Sequence, residues 1–418
     1  MEKEVEKTLD TYNMMDSLRE SKKYLNAKTI SAGLLATIFG CTGPALIIIG
    51  GASDGGLTEA QTISWIFAIY FFAGLLGLYM ALRYRQPISG GWSIPGAVLI
   101  AGALTQFTLA EAMGAYIVAG LIVLILGVTG WIGKVMYWIP APIVMAMIVG
   151  ALIRFGTDMI LGIEQAPLIA GSAILLYLVS SKITDKIPPI IMAFTVAVIL
   201  AIVLGEFQMQ GIETQFTVPQ LMVPGFSLEA IVSIAIPLAL LVVGAENAQA
   251  TGVLMAQKYK PPVNAMTIFS GLGGIITAFF GGHNANVAGP MTAICASKEA
   301  GVKEGRYTAV VVNGFTFMAF AIFAGLLVPF VTAMPGVLIG TVAGLAIIGV
   351  LLSSLQSAFS QKKFQVGAFF ALIIAMSGVE FFGISSPFWA IIGGILVSLI
   401  VEGNQFKERA ENEVKEAA

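Results

Sequence analysis

Residues 90–97 read Gly90-Gly91-Trp92-Ser93-Ile94-Pro95-Gly96-Ala97, and residues 281–290 read Gly281-Gly282-His283-Asn284-Ala285-Asn286-Val287-Ala288-Gly289-Pro290. Each stretch starts on a glycine pair, runs through a few residues with extended alternation, and meets a proline at the head of an apolar run. Proline is harmless near the first helical turn, where its missing N–H would have no intrahelical partner. The apolar segments here, 92–106 and 286–297, are shorter than the ~20 helical residues needed to cross the hydrocarbon. Each is therefore expected to be an extended piece followed by a half-helix. Irregular backbone at that depth is stable only when protein or a water-filled cavity covers it. Half-helices entering from opposite faces would point their free N–H groups and positive dipole ends at a shared midplane pocket. Such a pocket favours an anion without any basic side chain. A mere packing kink is the alternative, and the duplication of the pattern argues against it.

Composition sets the surroundings. Of 418 residues, 57% are apolar and 11% charged, against roughly 25% charged in soluble domains. An ordinary cytosolic enzyme and a disordered chain are both excluded, and a polytopic membrane protein is expected. Cys41 and Cys295 both lie in apolar runs, so neither a disulfide framework nor a cysteine zinc site is indicated. No Gly-Lys-Ser/Thr motif occurs, which removes ATP-driven transport. Basic clusters suited to nucleic acid are missing as well, and nothing calls for a metal or cofactor. Residues 1–28 are charged and polar and lack the pattern of a cleaved signal peptide.

Apolar runs place membrane segments at 29–50, 58–82, 92–106, 110–130, 140–157, 165–181, 188–205, 228–255, 262–280, 286–297, 307–329, 335–357, 364–379 and 386–402. With the N-terminus inside and fourteen alternating crossings, every Lys and Arg except Arg154 falls on the inner side or in the tails. Arg154 lies within a span. This predicts an inner (plasma) membrane protein with both termini cytoplasmic. Gly90 and Gly281 are 191 residues apart, Pro142 and Pro335 are 193 apart, and Pro189 and Pro387 are 198 apart. The near-constant offset predicts two seven-span repeats. Seven is odd, so the copies must be inverted, the architecture of secondary transporters.

Among single residues, Glu246 stands out, because a carboxyl group within a span is costly and functional by default. Low dielectric favours its neutral form, which suits a proton carrier; a structural hydrogen-bonded Glu is the alternative. His283 is the only histidine, placed beside the second break, and imidazole changes charge near neutral pH; capping a loop is its plainer role. Asn247 and Asn286, ahead of Asn284, offer donors to a carboxylate. Trp92 is the ring-stacking candidate, with core packing as the equal alternative. Thr42 interrupts the first span together with Gly43-Pro44. Arg154 and Asp158, four apart on one helical face, are expected to pair, with a direct anion contact at Arg154 the lesser reading. Gly271-x-Gly273 reads as a helix-packing surface.

The motifs Arg83-Tyr84-Arg85-Gln86-Pro87-Ile88 with Trp92-Ser93-Ile94-Pro95-Gly96-Ala97, and Thr292-Ala293-Ile294-Cys295-Ala296 with Glu299-Ala300, resemble the third- and tenth-segment signatures of the benzoate:proton symporters, the BenE family. Gly40, Thr42 and Ala45 fit as well. The resemblance covers nearly the whole membrane region. It implies the fourteen-segment fold shared with uracil-type and sulfate-type transporters. In that fold a core domain (29–130 and 228–329) moves against a gate domain (140–205 and 335–402). A 206–227 linker and tails at 1–28 and 403–418 lie outside both. Proton-coupled uptake of benzoate or a similar aromatic carboxylate is implied. Two departures stand out: Glu246 precedes Asn247 where the family usually has Gln, the Glu being more like the uracil-type relatives, and Gly289-Pro290 stands where small apolar residues without proline are expected.

The combined expectation is a secondary active transporter for a small anion and protons in a lipid bilayer. Its site comprises Thr42, Trp92, Ser93, Ile94, Pro95, Gly96, Ala97, Asn247, Asn286, Val287, Ala288 and Gly289, with Glu246 coupling the proton and His283 as a further candidate. A proton-coupled nucleobase transporter and an uncoupled anion transporter are the alternatives. An intramembrane enzyme is disfavoured by the single histidine and the lack of a Gly-x-Gly-Asp motif. A homodimer is compatible with the sequence, which does not fix the oligomeric state.

Overall fold

The structure, a computed structural model, describes residues 11–41, 43–132, 139–183, 188–207, 218–360, 362–382 and 384–406. An amphipathic helix α1 (Met14–Tyr24) precedes α2 (Ala27–Cys41) and α3 (Gly43–Asp54). There follow α4 (Glu59–Tyr84), strand β1 (Gly90–Gly91), the short α5 (Ile94–Ala103), α6 (Leu109–Thr129), α7 (Ala141–Gln165), α8 (Pro167–Ile183) and α9 (Pro189–Val203). The second half holds α10 (Leu228–Ala256), α11 (Val263–Ala278), strand β2 (Asn286–Val287), the eight-residue α12 (Gly289–Ala296), α13 (Tyr307–Ile322), α14 (Ala324–Thr332), α15 (Gly336–Phe359), α16 (Gln365–Ser377) and α17 (Ser386–Val401).

Among the described residues, six stretches can each cross a membrane by length and composition: Ala27–Asp54, α4, α6, α7, α10 and α15. The pair α13–α14, bent by 64°, makes a seventh. Local chemistry sets the ends. Thr58 with Gln61 and Thr108 with Glu111 form reciprocal capping boxes at the starts of α4 and α6, pairing N–H groups that would otherwise be orphaned. Prolines stand at or just before the starts of α7, α9, α15 and α17. The sequence places its repeat-marking prolines at these same starts. Helix α10 is irregular, with wider π-helical turns at Ile231–Ala235 and Leu241–Asn247. Such turns concentrate at functional positions, and the second one carries Glu246.

The helices pack in two groups. In one, α2 and α4 lie against α13, and α6 lies against α11 and the start of α10. In the other, α7 lies against α15 and α16, α16 against α17, and α8 against α9. The short α5 meets both, touching α3 on one side and α7 on the other.

Two ends of the bundle differ in charge. At one end Arg85 pairs with Glu20, the Tyr12 N–H donates to Arg83 O, Gln86 Nε2 donates to Lys260 O, and Lys303 Nζ donates to Lys258 O. At the other end the Gln220 N–H donates to Ser64 Oγ, the Met222 N–H to Phe279 O, and the Gly225 N–H to Ala110 O. Those far connections carry no Lys or Arg.

The two broken segments cross at the centre. β1 and β2 pair antiparallel, Gly90 opposite Val287 and Gly91 opposite Asn286. The ladder is extended by the Ala288 N–H to Ser89 O at 2.9 Å. Gly90 is required by packing, since any Cβ there would collide with the Ala73 carbonyl of α4. Both segments are thus a strand plus a half-helix.

Candidate transport site

Half-helix α5 begins just after the strand crossing, with Ser93 as its cap: Ser93 Oγ accepts from the Gly96 N–H at 3.1 Å. Half-helix α12 has no side-chain cap of its own at Ala288. Its Gly289 N–H donates instead to Glu246 Oε2 at 3.2 Å, and the Glu246 carboxyl also faces the Ile94 N–H of α5. A carboxyl group from α10 therefore sits where the two half-helix N-termini converge. Glu246 is only 4% exposed.

That point floors a cavity of about 970 Å³ lined by Ile94, Pro95, Glu246, Gln249 and Pro290, with Pro142 and Met145 of α7 opposite. One face of α15 continues the lining through Gly349, Ser353, Ser357 and Ser360 to Lys363 and Phe364 in the α15–α16 connection. Their three- and four-residue spacing aligns these serines as a stripe. Gln249 shares a helical face with Glu246 in the sequence without being a site candidate there, and the serine stripe was not anticipated. The available signal was a run of hydroxyls at helical spacing in an otherwise apolar helix.

Of the anticipated residues, the structure brings Ile94, Pro95 and Glu246 to the cavity wall. Gly289 contributes its N–H. Others stand behind that wall. Gly96 and Ala97 are buried in α5. Val287 donates its N–H to Ser270 Oγ, and Ala288 is held by Ser89. Asn247 donates to Thr267 Oγ1 at 3.3 Å and accepts from Ser270 Oγ at 3.1 Å, so its amide ties α10 to α11. Asn284 Oδ1 accepts from the Ser93 N–H at 3.0 Å and links the two breaks. The Asn286 side chain is fully buried, and neither of its polar atoms has a hydrogen-bond partner. Thr42 lies outside the described residues.

Trp92 is 1% exposed and does not line the cavity. Its ring packs edge-on against Tyr70 and His283, at centroid distances of 5.8 and 5.7 Å. In this arrangement it is a core residue rather than a wall for a substrate ring. His283 Nδ1 accepts from Trp65 Nε1 at 3.1 Å, which leaves Nε2 to carry the proton and donate to Ser93 O at 3.1 Å. Both ring nitrogens are thus engaged in bracing the crossing. The expected Arg154–Asp158 ion pair is not formed. Among the described residues the ion pairs are Arg19–Asp16 and Arg85–Glu20, and the Arg154 guanidinium lies 5.9 Å from the Phe155 ring centroid.

A second cavity, of about 420 Å³, abuts the same half-helix from the other side and is lined by Val98, Leu99, Gly102, Gln106, Arg154 and Ser386 among others. On α5 the two cavities are separated by the step from Pro95 to Val98, about one helical turn or ~5 Å.

The crossed half-helices and the cavity on either side belong, by family and fold, to a membrane transporter rather than an enzyme. The fold is that of the transmembrane domain of a cyanobacterial bicarbonate transporter, BicA (TM-score 0.60, 16% identity, 90% of this chain and 96% of that one). It is also that of murine Slc26a9, an anion transporter in the inward-facing state (TM-score 0.64, 16% identity, 93% and 71%). The chain belongs to the BenE family, benzoate membrane transport protein, whose model matches residues 23–400. It is 28% identical over 389 residues to a benzoate membrane transport protein of Acinetobacter baylyi, covering 93% of this chain and 98% of that one. It is 30% identical over 383 residues to the inner membrane protein YdcO of Escherichia coli, covering 90% and 98%.

Proposed function

We propose that the protein is a secondary active transporter that takes up benzoate or a similar aromatic carboxylate together with protons, by alternating access. Fourteen crossings in two inverted repeats would place both termini in the cytoplasm of a cell with this protein in its inner membrane. The α2–α6 and α10–α14 group would act as the core and the α7–α9 and α15–α17 group as the gate. The observation that carries this reading is the Glu246 carboxyl group lying on the amide donors of the half-helix N-termini. Those donors suit an anion, and Glu246 already supplies one. A substrate carboxylate arriving beside an ionised Glu246 would place like charges ~4 Å apart. At an effective dielectric constant of ~20 that costs about 4 kcal/mol, close to a thousandfold in affinity. Protonating Glu246 removes the repulsion, so proton and carboxylate are taken up together, and the apolar wall of Ile94, Met145 and Ile148 would take the ring. The two cavities on opposite sides of α5 support alternate opening of one wall.

In proteoliposomes an inward proton gradient should drive benzoate accumulation above the external concentration. Equal accumulation with and without the gradient refutes coupling. A nucleobase reading is favoured by the same Glu246, since a carboxylate also accepts from ring N–H groups. Competition by uracil or xanthine but not by benzoate would select it. Accumulation that follows the anion gradient alone would select uncoupled anion transport.

A further inference from the structure

Arg154 sits near the middle of α7, about 19 Å along the helix from Ala141 at 1.5 Å per residue. An ionisable group at that depth is costly unless it faces a partner or a water-filled cavity. Among the described residues no ion pair with Arg154 is formed, its side chain is exposed, and it lines the 420 Å³ cavity. Asp158, one turn further on, lies beyond ion-pair distance. The volume falls within the ~300–1,000 Å³ usual for small-ligand sites. The cavity lining offers Gln106, Thr157 and Ser386 as polar residues and Leu99, Phe155 and Met376 as apolar ones.

The charge around this cavity sharpens its meaning. The connections at this end of the bundle hold no Lys or Arg, whereas Asp54, Glu59, Glu111, Glu164, Glu206 and Glu380 stand at or beside them. A surface of that sign repels an approaching carboxylate. Among the described residues, Arg154 is the one Lys or Arg that lines this cavity, between the acidic rim and the half-helix site. Guanidinium presents a rigid fork of donors matched to a carboxylate, over and above its charge.

We propose that the second cavity is a docking site for the substrate carboxylate, where Arg154 holds it in a two-point contact one helical turn away from the Glu246 site. This rests on the aromatic-carboxylate reading above. Ligand arriving from the acidic end is concentrated at Arg154 and passes the Val98–Leu99 turn of α5 when the wall opens. Ligand arriving through the serine-lined cavity reaches Glu246 without meeting Arg154 first.

The test is labelled benzoate uptake into right-side-out and into inverted membrane vesicles from cells making the full chain, at low and high ionic strength. Arg154→Gln should raise KM in one vesicle orientation only, on the order of tenfold to a hundredfold for lost charge-assisted hydrogen bonds. It should also abolish most of the salt dependence there and leave kcat within about twofold. Arg154→Lys, which keeps the charge and loses the fork, should keep the salt dependence with a several-fold higher KM, and it serves alone if the glutamine variant does not reach the membrane. Unchanged KM in either variant overturns the docking site, as does an equal rise in both orientations, which marks a structural role. Absence of wild-type benzoate uptake removes the aromatic-carboxylate reading and this site with it. Normal wild-type uptake with an indifferent Arg154 removes the docking site alone.

Discussion

The two half-helices share a plan and differ in how their N-termini are closed. On α5, Ser93 turns back and caps its own helix through Gly96. On α12, Ala288 offers no such oxygen, and Glu246 reaches across from α10 to accept from Gly289. A self-capped end has fewer unpaired N–H groups to offer a ligand. An end closed by a separate carboxyl group opens when that group moves away, and its hold weakens when the group is neutralised. The α12 end, unlike the self-capped α5 end, thus depends on a side chain from another helix, although their sequences look alike.

Replacing Glu246 by Gln should break this contrast most severely. The amide cannot ionise, so it cannot carry a proton across or expel a carboxylate by charge. Concentrative uptake should be abolished, while benzoate–benzoate exchange in preloaded proteoliposomes survives. Full concentrative uptake by Glu246→Gln would take that residue out of the coupling step.

Next in size comes Gly289→Ala. A Cβ at this position meets the Gln249 side chain at the cavity floor, whereas one at Gly96 on α5 meets Leu238 and Ser93. The Gln249 amide can turn aside, but its Cβ would lie only 2.8 Å away, so α12 must shift slightly against α10 and the substrate position shifts with it. Displacements of this kind cost on the order of tenfold or more in kcat/KM. The expected result is a larger loss of kcat/KM for Gly289→Ala than for Gly96→Ala at comparable thermal stability. Equal losses would mean that both half-helices hold substrate alike.

How much of this could be read in the sequence differs between backbone and side chains. The Gly90-Gly91 and Gly281-Gly282 pairs with Pro95 and Pro290 spell out strand followed by half-helix, because those residues act through local backbone chemistry. Glu246 was legible for a similar reason, as a lone carboxyl group in an apolar run. Trp92 was not, because its burial depends on Tyr70 and His283, brought in from α4 and from the far half of the chain. Arg154 and Asp158 have pairing geometry on an ideal helix, yet Arg154 turns to a cavity that exists only once α5, α16 and α17 are assembled around α7. The π-helical turn at Leu241–Asn247 is equally invisible to a 3.6-residue period. Gln249, three residues on, shares the cavity with Glu246, while Ala250 is buried in a separate cluster with Leu254 and Val287.

A smaller effect is expected from Ser93→Ala, which uncaps α5. Loss of an N-cap oxygen costs roughly 1 kcal/mol. The purified protein should melt earlier, with benzoate affinity changed less than by Gly289→Ala. A fall in affinity without a fall in stability would instead make Ser93 a ligand.

The smallest effect is expected at His283, despite its position beside the crossing. Its ring accepts from Trp65 and donates to Ser93 O, so both nitrogens are engaged within the scaffold. Protonating Nδ1 would break the bond from Trp65, because two donors would then face each other. A group that loses a buried hydrogen bond on protonation is poorly suited to carry protons during turnover. His283→Gln keeps one acceptor and one donor. It should lower stability modestly and leave the pH dependence of benzoate uptake in place. A pH profile displaced by this substitution, with Glu246 intact, would move the coupling group from α10 to the strand crossing.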